Sequence, residues 1–157
     1  MKHKAILMAF LLVFSLPLYE RSIANIEKPP LQEEIINVTV AEVWEMLNNE
    51  SDGIQFVVDV RTFEEYFNER IATPHWYDKP ILYPLQLIEI PLFAKIFVAI
   101  FKNKEVILYC RTAHRSWIAG KIIVNSGFEG KLYNMVGGIT EWKANGLPTV
   151  SGFGFGK

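Results

Sequence analysis

The chain has 157 residues, 50% of them hydrophobic and 21% charged, which allows one domain with its own core and excludes a disordered polyelectrolyte. Its formal net charge of −1 provides no general basic surface, so no nucleic acid partner is expected. A single cysteine excludes an intramolecular disulfide.

At the N-terminus, Lys2 and Lys4 precede an apolar run from Ala5 to Leu18, and Ser22-Ile23-Ala24 places small residues where signal peptidase reads. Residues 1–24 are therefore expected to be a secretory signal cut after Ala24, with export to the periplasm. The apolar run is short for a spanning helix, which needs about 20 residues. The alternative is a protein anchored by its uncleaved signal; after cleavage no stable membrane span is expected. Residues 25–34 are polar and carry paired prolines, as a linker does, and the glycine-rich residues 151–157 read as a flexible tail. Residues 35–150 form the domain.

Within it, residues 35–38 make a short strand. Thr39 and Glu42 form a capping box that opens a helix carrying Val43, Trp44, Met46 and Leu47. The run 56–60, apolar except for Asp59, reads as a strand buried on both faces, and Thr62 with Glu65 caps a second helix. Pro74, Pro80, Pro84 and Pro91 exclude a long helix between 68 and 91. A strand near 87–90 and an apolar helix over 92–101 are expected next. Glu89 and Lys95 argue against a membrane span there. A strand over 105–109 leads into Cys110, and a helix over 116–125 stops at Gly127. A strand over 131–134, a Gly137-Gly138 turn and a short helix over 139–144 complete the pattern. Strands alternating with helices indicate an α/β fold with a mainly parallel central sheet of about five strands and helices on both faces.

Cys110 closes a strand and is followed by Arg111-Thr112-Ala113-His114-Arg115 and then a helix. Ligands gather at the carboxyl ends of parallel strands. Loop amides, two arginines and a helix N-terminus there stabilise negative charge, on the cysteine sulfur or on a bound anion. An unpaired thiol in an oxidising compartment is a liability unless it reacts. The bland alternative is a buried inert cysteine; charged neighbours argue against it.

The run CRTAHRS, with Asp59-Val60-Arg61 upstream and GGITEWKANGLPTV downstream, resembles the rhodanese-homology domain of the thiosulfate sulfurtransferase family. The resemblance covers roughly Ile35 to Val150, and it includes Ser126-Gly127-Phe128 and the closing segment Gly137 to Pro148 with its Trp142. It implies a rhodanese-like fold and a catalytic Cys110 that accepts a sulfane sulfur as a persulfide. Arg111, Thr112, Ala113, His114 and Arg115 would cradle the anion, mostly through backbone amides. Arg115 would hold the loop in shape while Arg111 and His114 face the incoming donor. Asp59, Arg61 and Ser116 would be supporting residues, with Arg61 expected to pair with a helix carboxylate such as Glu65. The implied reaction moves sulfur from a small anionic donor such as thiosulfate to cyanide or a thiol, with a protein acceptor as a further option. No cofactor is implied beyond the covalent persulfide. The alternative is a persulfide carrier or docking module that delivers sulfur to a partner protein without turnover.

Phosphatases and arsenate reductases of similar fold use a loop one residue longer between cysteine and arginine, so the shorter loop here suits sulfur. The sequence departs from the family where a Gly-His-Ile-Pro-Gly-Ala run is common: it reads Glu69-Arg70-Ile71-Ala72-Thr73-Pro74. With the following strand and its proline expected at Ile90-Pro91, an insertion around residues 74–88 results. Its His75, Trp76 and Tyr77 either form a substrate lip or pack as an elaborated surface loop, the latter being preferred. No metal is expected there, because no second histidine or cysteine is spaced to help.

Overall fold

The computed structural model describes residues 35–49, 51 and 53–153. The segments expected to be a signal and a linker, and the end of the expected tail, lie outside them. Among the described residues, no helix is long and apolar enough to cross a membrane.

The elements in chain order are β1 (Ile36–Val38), α1 (Val40–Asn48), β2 (Gln55–Asp59), α2 (Phe63–Asn68) and β3 (Arg70–Ile71), then a 3-10 turn (Trp76–Asp78). There follow β4 (Ile81–Leu82), α3 (Leu85–Ile88), α4 (Pro91–Ile100), β5 (Glu105–Tyr109), α5 (His114–Asn125), β6 (Lys131–Met135), α6 (Gly138–Ala144) and β7 (Thr149–Val150). The main sheet has five parallel strands in the order β1-β6-β5-β2-β4, and β3 pairs antiparallel with β7.

Both expected capping boxes form. The Glu42 amide donates to Thr39 Oγ1 at 3.2 Å and the Glu65 amide to Thr62 Oγ1 at 3.2 Å, with each glutamate reaching back to its cap residue. Strand parity then sorts the core into two layers. Along β5 and just past its end, Val106, Leu108 and Cys110 face the layer of α3, α4 and α5, packing with Leu85, Ile88, Phe97, Ala119 and Ile123. Ile107 and Tyr109 face the other layer, with Val43 and Leu47 of α1 and Ile139 and Trp142 of α6.

The segment between 74 and 91 differs from expectation. Residues 85–88 are a helical turn rather than a strand, because Leu85 and Ile88, three apart, are both buried against the core. The strand comes earlier, at Ile81–Leu82, in register with Val58 and Asp59. The proline after it is Pro84, the N-cap of α3, while Pro91 starts α4. Of the segment 74–88 expected as an insertion, residues 81–82 and 85–88 therefore belong to β4 and α3, and the part before them connects β3 to β4. α5 also begins earlier than expected, at His114.

Candidate active site

β5 and β2 end side by side, with Asp59 in register with Tyr109, and this rim carries the site. Cys110 is 1% exposed. Ala113 then takes a left-handed conformation (φ 79°) as the N-cap of α5, a backbone geometry that costs a non-glycine residue roughly 1–2 kcal/mol and is commonest at functional sites.

α5 differs from α1 and α2 in having no side-chain cap. Its first turn and the preceding loop leave the N–H groups of residues 111–116 without an acceptor among the described residues. The first of the loop's backbone amides to donate is that of Trp117, to the Ala113 carbonyl. A run of unpaired amides at the start of a twelve-residue helix, next to a cysteine sulfur, is an anion-binding arrangement.

Three braces hold the loop. Arg115 donates from both Nη1 and Nη2 to the Glu65 carboxylate, each at 2.7 Å, tying α5 to α2. That pairing first, and the Thr62 amide after it, lower the Glu65 pKa to about 2 against the effect of burial; in return Glu65 raises that of Arg115. The second brace is α6: the Ile139 amide donates to the Cys110 carbonyl at 3.0 Å and the Thr140 amide to the Arg111 carbonyl at 3.2 Å. Gly138 (φ 56°) allows this approach, since a Cβ there would lie 2.4 Å from the Cys110 carbonyl oxygen. Third, Ser116 is fully buried beneath the loop with its Oγ 3.6 Å from Cys110 Sγ.

The expected pairing of Arg61 with Glu65 does not form; Glu65 holds Arg115 instead. Arg61 folds back on Asp59 two residues earlier, with Nε at 2.9 Å from Oδ1 and Nη2 at 2.6 Å from Oδ2, and Nη2 also donates to the Glu69 carbonyl at 2.7 Å. Both are buried. Burial opposes the Arg61 charge, but the bonds and charge of Asp59 outweigh it, so its pKa rises. The guanidinium carbon lies 5.4 Å from the centre of the Tyr109 ring. Burial first, and then the charge of Asp59, push the Tyr109 pKa well up.

Beside the loop opens a cleft of about 420 Å³ lined by Arg61, Glu65, Asn68, Glu69, Arg111, Ile139, Thr140 and Lys143. Arg111, Thr112 and His114 are exposed, and Ala113 and Arg115 are half-buried. His75, Trp76 and Tyr77 are not among the cleft's lining residues. They lie before β4, where His75 stacks on Tyr77 at 4.9 Å and Trp76 is 77% exposed. Among the described residues there is no cluster of three or more histidine, cysteine or carboxylate side chains able to hold a metal. Sequence reasoning missed the braces from Gly138, Ile139 and Thr140, and the buried Asn134 that contacts Ser116 at 2.7 Å. The Gly137-Gly138 pair was the one available signal, and it reads as a turn alone.

Residues 39–145 match the family described as the rhodanese-like domain. A sulfurtransferase of Allochromatium vinosum is 33% identical over 96 residues, covering 60% of this chain and 78% of that one. Among solved structures, a rhodanese-like domain protein from Staphylococcus aureus aligns with a TM-score of 0.54 and 26% identity, covering 73% of this chain and 97% of that one. A thiosulfate sulfurtransferase from Pseudomonas aeruginosa aligns with a TM-score of 0.58 at 21% identity, over 75% of this chain but only 20% of that one.

Proposed function

The chain belongs to the rhodanese-like family, and on that premise we propose that it is a sulfurtransferase that carries a sulfane sulfur on Cys110. The observation that supports this reading best is the set of unpaired N–H groups at 111–116 around the chain's one cysteine.

The transfer divides into two displacements. The Cys110 thiolate attacks the outer sulfur of an anionic donor such as thiosulfate. A bond to that sulfur forms, the donor's S–S bond breaks, and sulfite leaves with the electron pair. A thiol or cyanide then attacks the outer sulfur of the persulfide, and Cys110 leaves as thiolate. Negative charge stays beside the loop throughout, on Cys110 sulfur in the thiolate and on the outer sulfur in the persulfide, so one preorganised set of amides serves both states. Arg115 contributes through its brace to Glu65. Arg111, exposed on the cleft, draws the anionic donor toward the loop. In the same proposal residues 35–150 are the catalytic domain, working in the periplasm after removal of residues 1–24.

The test is steady-state turnover with thiosulfate and cyanide, together with the intact mass of the purified protein. Turnover lost in Cys110→Ala and a wild-type mass increased by one sulfur atom are expected. Activity surviving in Cys110→Ala would end the proposal, and stable sulfur uptake without turnover would convert it to the carrier reading. The same mass reports whether cleavage follows Ala24.

A further inference from the structure

Beneath the loop runs a buried chain of polar side chains that the two displacements leave without a role. Ser116 Oγ lies 2.7 Å from Asn134 Oδ1, 3.1 Å from the Ala113 carbonyl oxygen and 3.6 Å from Cys110 Sγ. Asn134 on β6, 3% exposed, donates from Nδ2 to Asn37 Oδ1 on β1 at 2.9 Å. That bond orients the Asn134 amide with its oxygen toward Ser116. One hydroxyl proton therefore has three acceptors within reach and can serve one fully at a time. While Cys110 sulfur is neutral, the amide oxygen is the better acceptor. A thiolate reverses the order, because hydrogen bonds to an ionised acceptor are about twice as strong.

We propose that Asn37, Asn134 and Ser116 form a positioning relay whose hydroxyl proton turns onto Cys110 Sγ whenever that sulfur becomes anionic. The inference rests on Cys110 carrying sulfur as a persulfide. In the persulfide the negative charge is on the outer sulfur, which faces the loop amides, and Sγ itself is neutral. The proton then rests on Asn134. When the acceptor attacks, its bond to the outer sulfur forms, the S–S bond to Cys110 breaks, and the electron pair stays on Sγ. The hydroxyl rotates about its Cβ–Oγ bond to meet that charge, with no bond to hydrogen broken. Ser116 thus favours departure of Cys110 as the leaving group. In the loading step its effects oppose: it increases the thiolate population but lowers the nucleophilicity of each thiolate.

This asymmetry separates the relay from a merely structural role, and the two half-reactions of the full chain can be measured singly. Ser116→Ala is expected to slow discharge of the persulfide to cyanide about tenfold, the low end for a hydrogen bond to a charged group. Loading from thiosulfate is expected to change by less than about threefold. Ser116→Thr, which keeps the hydroxyl, restores discharge. Asn37→Ala, on an exposed residue, frees the Asn134 amide, weakens its hold on the hydroxyl and speeds discharge by up to about twofold to threefold, the effect of a weakened competing neutral bond. The chemical surroundings are constant across these variants, since Arg111, His114, Arg115, Asp59 and Arg61 are unchanged in all of them. Wild-type discharge in Ser116→Ala would overturn the relay. So would equal slowing of both half-reactions, which would indicate a displaced loop. A wild-type protein that gains no sulfur mass from thiosulfate or polysulfide would instead remove the sulfurtransferase reading, and the relay with it.

Discussion

Glu65→Gln isolates the brace between α2 and α5. Glutamine can still accept the Thr62 amide, so the capping box survives, while the carboxylate that Arg115 grips is gone. The ceiling on the pair's worth comes from the Glu65 pKa, which falls from an ordinary 4.5 to about 2. At about 1.4 kcal/mol per unit this amounts to about 3 kcal/mol. The two side chains are 28% and 32% exposed, so screening reduces the expected loss to about 1–2 kcal/mol at pH 7. The sign follows from linkage: a carboxylate whose pKa is lower in the folded state contributes fully above its unfolded value. The contribution is lost as pH falls through the folded value. The stability gap between wild type and variant should therefore be full above pH 5 and roughly half gone by pH 3. Urea unfolding at pH 7, 5, 4 and 3 reads it directly. Turnover at pH 7 should fall as well, by several-fold or more, because Arg115 sits in the helix turn whose amides hold the anion and small displacements there are costly. Equal stability at pH 7, or a gap that does not close on acidification, would refute the assignment of this pair as a brace.

Gly138→Ala places a Cβ 2.4 Å from the Cys110 carbonyl oxygen and 2.6 Å from that of Arg111, at a φ of 56°; it should cost about 1–3 kcal/mol. Turnover should drop at least about tenfold through displacement of the loop, checked by thermal melting and steady-state kinetics on one preparation. Arg111→Ala, at an exposed position on the cleft, should leave stability within about 0.5 kcal/mol. The KM for thiosulfate should rise several-fold and become less sensitive to salt, as measured between low and physiological ionic strength.

What the sequence discloses about this fold follows the range of the interactions involved. The two capping boxes, the buried-type strands at 55–59 and 105–109, and the stop at Gly127 are local, and each forms as the residues direct. The segment at 85–90 is misleading because a short apolar run has no period of its own. Its helical character is set by Pro84 and Pro91 as boundaries and by a core that accepts Leu85 and Ile88 together. The ion pairs depend on contacts between distant parts of the chain. Glu65 and Arg115 are 50 residues apart in sequence, and no pattern distinguishes that partner for Glu65 from the nearer Arg61. Arg61 is drawn to Asp59 because the chain bends sharply after β2, so the Arg61 amide also donates to the Asp59 carboxylate, at 3.0 Å. Around Cys110, residue types identify the reactive atom and the loop, whereas the braces from α6 and the Asn134 contact are matters of backbone approach.

The braces also explain how amides can remain unpaired next to a buried sulfur. A loop free to move would relax to satisfy its own N–H groups. Here the carbonyls of Cys110 and Arg111 are already engaged by α6, Ala113 is held left-handed, and Arg115 is clamped by Glu65. These contacts hold the loop in the conformation that leaves its amides available to an anion. In the proposed reaction the same amides also stabilise the Cys110 persulfide. With one cysteine in the chain there is no internal thiol to resolve it. In the proposed reaction the sulfur leaves to an external nucleophile, for which the cleft of Arg111, Thr140 and Lys143 is the proposed approach. The Ser116 hydroxyl is proposed to receive the returning charge on Cys110 at that step.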